Sequence, residues 1–323
     1  MPDSVVPVAA AIVLMLIWTI EGAAPLVAGR ARRTAHGARN LIVGAANGLV
    51  CAAIFPPLLL YLTLICAEHR IGMLHLAPHL HPIAAIVAAV LLLDFWHYAW
   101  HILWHKIPIL WRFHVVHHHD PEVDSTTAFR FHTGEIILSM TALALAVPFF
   151  GLTMIHILIF KLILLSTSLF HHANVKIPAH IDRALRAVIV TPRMHWVHHS
   201  RWTPETDSNY SAIFSIWDRL FGTYRVREDT RDIELGLDGY SAADTDTLRG
   251  ILLTPVGPVK SQFGRAPTGA GLTISSKGVR SSAADTVALA TPSTHTSRGR
   301  QPGLALAVQD IPLRPGLTTY APP

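Results

Sequence analysis

Histidines recur at one short spacing in three places along the chain, and this pattern constrains the fold more than any other feature. The three groups are His101 and His105; His114, His117 and His118; and His195, His198 and His199, with His172 between the last two. Residues three or four apart share a helix face, so each group can direct two or three imidazoles at one point. Neutral imidazole suits iron, zinc, copper and nickel. The pattern predicts an oxygen-activating site that holds more than one metal ion.

Long apolar segments separate these groups. Charged residues make up only 15% of the 323 residues and hydrophobic residues 51%, whereas soluble domains carry about 25% charged residues. The segments cover residues 5–28, 41–66, 82–104 and 136–170. The first three are each long enough for a spanning helix of about 20 residues. The fourth contains Pro148 and is predicted to be a hairpin that turns at 148–151. These segments predict an all-α polytopic membrane protein with four to five membrane-embedded helices.

Basic residues predict the orientation of these helices. Arg30, Arg32 and Arg33 follow the first segment, while only Asp3 precedes it. The positive-inside rule therefore puts the first loop in the cytoplasm. Alternating spans then bring all the histidine groups to the cytoplasmic face, where we expect a helical histidine-rich cap. The first segment has no basic n-region and is too long for a signal peptide, so we expect it to be retained.

Composition divides the chain into three parts. Residues 1–80 are predicted to hold the N-terminal transmembrane helices, and residues 81–257 the catalytic domain. Residues 258–323 are rich in Ser, Thr, Gly, Pro and Ala. Such a segment cannot bury enough apolar surface to offset its ordering entropy. We expect a disordered low-complexity tail without a catalytic role.

Several residues near the histidine groups are candidates for additional ligands or for supporting hydrogen bonds. The candidates are His97, His132, His171, Asp94, Asn209 and Asp218, with Asp120 and Asp207 as further carboxylates. A metal-bound histidine usually donates its second N–H to a carboxylate or a carbonyl, which is the role that the aspartates could fill.

The other histidines are interpreted as ordinary surface side chains. His119 points away from the shared face of its group and is predicted to be exposed. His36, His69, His180 and His295 are interpreted as interfacial, and His75, His79 and His81 as part of a loop outside the membrane. Lys161 indicates either a hairpin that enters the bilayer only partly or a polar pocket, because a charge at bilayer depth is costly. The shallow hairpin is slightly favoured.

Charge and cysteine content limit the partners. The net charge is +5, but the basic residues form no stripe with aromatic residues, so no nucleic-acid partner is expected. Cys51 and Cys66 form no CxxC pair and are predicted to be packing residues. The chain has no GxGxxG fingerprint and no CxxCH motif. An oxygen-activating site would therefore need a separate electron donor: a ferredoxin, a cytochrome or a flavoprotein reductase.

Longer motifs surround these histidines. They are residues 94–105, 108–118, 130–132, 172–174, 191–200, 207–210 and 217–224. Together they resemble the fatty acid hydroxylase superfamily, which includes sterol desaturases and related bacterial membrane proteins. The resemblance implies a bacterial inner-membrane protein with two iron ions that hydroxylates or desaturates a membrane lipid with O2 and two electrons; zinc could replace iron in purified material. It implies nine metal ligands: His101, His105, His114, His117, His118, His172, His195, His198 and His199.

Two other functions remain open from the sequence. An acyl-lipid desaturase uses similar histidine groups, although the segments around Trp111 and Trp217 argue against it. A non-enzymatic zinc-binding membrane protein or metal transporter is the second alternative. Transporters need ligands at the membrane midplane, whereas these histidines are predicted at helix ends.

Overall fold

The computed structural model describes residues 5–227 and 229–258, which form helices joined by turns. The twelve α-helices of this part are α1 Val5–Ala23, α2 Arg33–His69, α3 Pro82–Lys106, α4 Pro108–His118, α5 Thr133–Phe150, α6 Met154–His172, α7 Ala179–Leu185, α8 Pro192–His198, α9 Thr203–Thr206, α10 Ile216–Leu220, α11 Ala242–Thr245 and α12 Leu248–Leu253. Two 3₁₀ turns cover Met73–Leu76 and Ser125–Phe129. The predicted all-α class is confirmed. Apart from residue 258, the predicted tail lies outside the described residues.

Four helical segments are long and apolar enough to cross a membrane: Arg33–Leu76, α3, α5 and α6. Much of their outer surface is exposed and apolar, as at Leu49, Leu64 and Leu145, which is the surface expected against lipid tails. The inner faces pack into one core that includes Phe55, Leu93 and other apolar side chains. Helix α1 is not among these four; Ala11–Ala23 is the apolar stretch found in the part of it that the structure describes in full.

The predicted hairpin consists of α5 and α6. Pro148 lies in the last turn of α5, and the helix ends at Gly151, which adopts φ 73°. The left-handed region suits glycine, and a Cβ there would lie 2.7 Å from the carbonyl oxygen of Ile71. Both helices are long enough to span. The structure thus favours the polar pocket over the shallow hairpin as the explanation of Lys161, because this side chain lines an internal cavity.

The cap is formed by residues between and after the spans. Asp94, in α3, accepts hydrogen bonds from the backbone N–H groups of Ile213 and Phe214 and from the Trp217 indole. Arg130 is buried and donates to the carbonyl oxygens of Val116 and Thr245. These bonds join the 213–217 segment to the middle of α3, and they join α4 and α11 to the segment that precedes α5.

Candidate metal centre

Four elements supply the predicted histidines. His101 and His105 lie at the C-terminal end of α3, and His172 at that of α6. Five of the other six lie on two short helices, α4 and α8, which begin at Pro108 and Pro192, and His199 directly follows α8. Proline at the first helical position has a φ that suits helix initiation and lacks only an N–H that would have no partner. Each short helix therefore starts one or two turns before its histidines.

The structure brings all nine predicted histidines together as two adjacent groups. In each group the potential ligand atoms lie within 4.8 Å of one another. The first group is His101, His105, His114, His118 and His198, and the second is His117, His172, His195 and His199. The groups touch, since the rings of His118 and His199 stack with centroids 4.6 Å apart.

Hydrogen bonds at Nδ1 fix the orientation of five of these rings. The Nδ1–H groups of His101, His198 and His172 donate to the carbonyl oxygens of Tyr210, Ser208 and Ser168, each at 2.7 Å. His117 makes a longer bond of 3.3 Å to the Arg130 carbonyl oxygen, and His114 a 2.7 Å bond to Glu135 Oε1. A proton on Nδ1 of a neutral imidazole leaves the lone pair on Nε2. These rings therefore offer Nε2 as a ligand atom.

The Nε2 atoms face one another at distances that fit a shared cation. His117 Nε2 lies 3.1 Å from His172 Nε2, although both rings use Nδ1–H as a donor to a carbonyl. Two bare nitrogens at this distance repel unless a positive ion lies near both. Ligand atoms at right angles on an ion about 2.1 Å away would be about 3.0 Å apart. His195 and His172 match this spacing at 3.0 Å between their Nε2 atoms, so the residues fit metal ions.

Burial keeps the imidazoles of His118, His198 and His199 neutral. Desolvation and the neighbouring histidines lower the pKa of His118 and His199 well below its usual value. Desolvation lowers the pKa of His198 to about 3, although the hydrogen bond from His198 Nδ1–H to the Ser208 carbonyl oxygen opposes the shift. A neutral ring has a lone pair to donate at neutral pH. The set of nitrogen donors suits iron, zinc or copper.

One carboxylate that sequence reasoning missed supports the centre. Glu135, in the first turn of α5, is buried and accepts a hydrogen bond from His114 Nδ1. An acidic residue at the start of an otherwise apolar span was the signal that could have identified it. Of the predicted carboxylates, Asp207 lies 3.5 Å from His105 Nδ1.

The other candidate supporting residues hold the cap together and do not touch the nine histidines. Asp218 accepts hydrogen bonds from the backbone N–H groups of Tyr210 and Ser211. Asn209 donates to the carbonyl oxygens of Met194 and Arg225. Asp94 binds the 213–217 segment. Asp218 and Asp94 therefore position the loop whose Tyr210 carbonyl orients His101.

The three additional histidine candidates occupy different places. His97 and His171 line the cavity beside the centre, and the His171 ring lies 3.9 Å from that of His195 between centroids. His132 instead caps α5 and contacts the Leu252 carbonyl oxygen.

Two histidines interpreted as surface side chains are buried, so those interpretations are wrong. His36 is 2% exposed and lies between two carboxylates, with Nε2 2.9 Å from Asp120 and Nδ1 3.1 Å from Asp124. His119 is 1% exposed and contacts Arg130 at 3.1 Å. The partners of His36 are more than 80 residues away in sequence, so no local pattern indicated them.

An apolar cavity of about 420 Å³ opens onto the centre. Its volume lies within the range of about 300–1,000 Å³ typical of ligand sites. One face each of α2, α3, α5 and α6 forms its wall, and His101, His114, His117 and His172 form one end. The wall contains Trp96, Trp100, Trp104, Leu143, Leu164 and Leu165. Such a cavity can hold an apolar chain against the nitrogen cluster.

The fold and the site together define a class: an all-helical membrane protein with clustered histidines, able to hold metal ions, at the ends of its spans. Residues 86–223 match the model of the fatty acid hydroxylase family. This match covers both histidine groups and the ends of the spans that carry them. Residues 86–223 are thus similar to this family, and the resemblance predicted from the sequence is confirmed over them.

The curated relatives are lipid-modifying proteins. The chain is 25% identical over 166 residues to ornithine lipid hydroxylase OlsE of Rhizobium tropici, covering 51% of this chain and 49% of that protein. Alkylglycerol monooxygenase of Homo sapiens is 26% identical over 147 residues, or 44% of this chain and 31% of that protein. The Danio rerio enzyme of the same name is 33% identical over 145 residues, with 44% and 30% covered. The chain thus spans half or less of these relatives, and no solved structure gives a significant match.

Proposed function

We propose that the chain is a membrane-bound lipid hydroxylase, an oxidoreductase that inserts one oxygen atom of O2 into an unactivated C–H bond. The observation that carries the proposal is the convergence of nine imidazoles at one end of an apolar cavity between membrane spans. The names of the relatives, a lipid hydroxylase and two alkylglycerol monooxygenases, support it.

The nine histidines would hold two iron ions, one in each group. When bound, such ions supply the redox chemistry that activates O2. Glu135 and the carbonyl oxygens of Tyr210, Ser208, Ser168 and Arg130 hold the rings with Nε2 directed inward. This fixed arrangement lowers the cost of assembling the site.

The cavity wall would position the substrate and exclude water. Its tryptophan and leucine side chains present mainly apolar surface to a chain that runs toward the histidines, so this part of the chain is held by shape. Alignment of one carbon beside the centre is the main contribution that a protein makes to such a reaction. A lipid would enter from the bilayer between the helices, because the wall consists of spanning helices.

The two electrons would come from a ferredoxin, a cytochrome or a flavoprotein reductase. We propose that the cap faces the cytoplasm of a bacterial inner membrane, where such donors are found. The basic residues near the cap support this orientation through the positive-inside rule.

Product analysis tests the function. The protein would be purified into lipid nanodiscs, loaded with Fe²⁺ and supplied with a reductase pair, bacterial lipid extract and ¹⁸O2. We expect about two irons per chain by elemental analysis and lipids that gain one labelled oxygen atom. His118→Ala would abolish the product. Leu253→Ala, at an exposed position in the cap, is the matched control and would leave it unchanged.

Other products would identify the alternatives. Loss of two hydrogens from the lipid without a labelled oxygen would indicate a desaturase. Tight zinc binding, with no O2 consumption under any donor after exchange to iron, would indicate a non-enzymatic metal-binding protein and would overturn the proposal.

A further inference from the structure

The cavity wall contains a basic side chain, that of Lys161, which the proposed reaction does not use. Lys161 lines the wall from α6, and that helix rises about 1.5 Å per residue. Lys161 thus lies about 10 Å along the helix axis from Met154 and about 16 Å from His172. This position is well inside a span that has His172 at its cap end. A charged group at such depth is costly and usually faces a cavity or a partner.

No acidic side chain neutralises Lys161 within the described residues. The hydrogen bond of its Nζ is to Met140 Sδ, at 3.8 Å, and it belongs to none of the ion pairs found in this part of the chain. Glu135, an acidic residue of the cavity wall, is bonded instead to His114. A thioether is a weak acceptor. The amino group therefore has donor capacity directed at the cavity that the wall does not satisfy.

The α6 face places this amino group in line with the metal centre. Lys161, Leu164, Leu165 and Ser168 line the cavity, followed by His171 and His172. These residues recur three or four apart, so they form one stripe along the helix. A chain lying on this stripe would have one end at Lys161 and a distant carbon at the histidines.

We propose that Lys161 anchors the carboxylate end of an elongated, single-chain lipid whose reacting carbon lies at the histidine end of the cavity. A buried charge is stabilised only when it is paired and hydrogen-bonded. A carboxylate provides both the opposite charge and the acceptor oxygens. The inference rests on the proposed function for the identity of the reacting carbon, whereas the anchoring itself requires only the cavity.

Binding of two matched fluorescent probes tests the anchor without turnover. Diphenylhexatriene is an elongated hydrocarbon, and its propionic acid derivative adds a carboxylate at one end. Trp96, Trp100 and Trp104 line the cavity and can transfer excitation energy to either probe. The full chain in uncharged nanodiscs would be titrated with each probe, without an electron donor.

For the wild-type protein we expect tighter binding of the carboxylate probe than of the hydrocarbon. Lys161→Met should weaken binding of the carboxylate probe at least ten-fold and leave binding of the hydrocarbon within about two-fold. Lys161→Arg should restore most of the affinity, and Lys161→Gln should not. Leu162→Met, at the next position of α6 and outside the cavity lining, introduces the same side chain elsewhere and should change neither affinity.

Two results would overturn the anchor: equal affinity of the wild-type protein for both probes, or unchanged carboxylate binding in Lys161→Met. Retained hydrocarbon binding shows that the variant has folded with its cavity intact. Because no turnover is measured, an inactive protein with Lys161-dependent binding would contradict the proposed function and leave the anchor standing. An active protein whose carboxylate binding does not depend on Lys161 would contradict the anchor and leave the proposed function standing.

Discussion

Five of the nine imidazoles in the centre are oriented by a hydrogen bond of the Nδ1 nitrogen. Four of the five Nδ1 contacts are to backbone carbonyl oxygens, which mutation of a side chain does not remove. The fifth is the 2.7 Å bond between His114 and Glu135. Glu135 is therefore the place where the orientation of a metal-binding ring can be changed by one substitution.

We expect Glu135→Leu to weaken metal binding by about 10–100-fold, the usual cost of losing a group that orients a ligand. Glu135→Gln keeps an acceptor oxygen without the charge and should have a smaller effect. Competition with a chromophoric chelator measures the affinity. Glu122→Gln, in the loop after His118, is the control and should bind metal normally. Equal affinities in Glu135→Leu and wild type would contradict the role of this bond.

His36 illustrates a residue that stabilises the cap without touching the centre. It lies between the carboxylates of Asp120 and Asp124. His36→Leu would leave both carboxylates without this partner in a buried site, at a cost of about 3–5 kcal/mol. Unfolding by dodecyl sulfate in mixed micelles would measure the loss. His69→Leu, at the exposed end of the same helix, should change stability by less than about 0.5 kcal/mol; equal losses would refute the argument.

The sequence predicted the nine histidines that the structure brings together and missed the residues that support them, for one physical reason. The histidines follow a helical period, so their grouping is visible within ten residues, and the apolar segments indicate which ends meet. Glu135 and His36 act through contacts 21 and 88 residues away along the chain. Such contacts depend on the packing of separate helices, which no local period encodes.

At the scale of elements, the turns decide where the helix ends meet. The α5–α6 turn packs against the end of the α2 segment, where Gly151 contacts Ile71 and Gly72. The sequence located this turn from Pro148 and the length of the apolar run. It could not reveal that the turn is in contact with another turn.

Gly151→Ala should destabilise the protein. A left-handed conformation costs a residue with a Cβ about 1–2 kcal/mol, and the contact with the Ile71 carbonyl oxygen adds to this. Gly48→Ala, inside α2 with nothing within 4 Å of a new Cβ, should instead gain roughly 0.5–1 kcal/mol. The same dodecyl sulfate titration compares the two variants. A stable Gly151→Ala protein would show that the turn can relax.

At the scale of the whole molecule, the spans gather the site on one side of the membrane. Helices α3 and α6 end at the cap and α5 begins there, while α2 begins beside it, as the bonds of His36 to Asp120 and Asp124 require. Any two of these helix ends are separated by an even number of spans, so they all lie on the same side of the membrane. One measurement on the cap and one on the loop between α2 and α3 therefore determine the orientation of all the spans.

Cysteine labelling in bacterial spheroplasts makes that measurement. Ala77 lies in the loop between α2 and α3, and Ala187 lies after α7 in the cap; both are exposed. In a background with Cys51 and Cys66 replaced by alanine, Ala77→Cys should react with an impermeant maleimide in intact spheroplasts. Ala187→Cys should react only after lysis, because the positive-inside rule puts the cap in the cytoplasm. Labelling of Ala187→Cys before lysis would reverse the orientation and remove cytoplasmic electron donors from the mechanism.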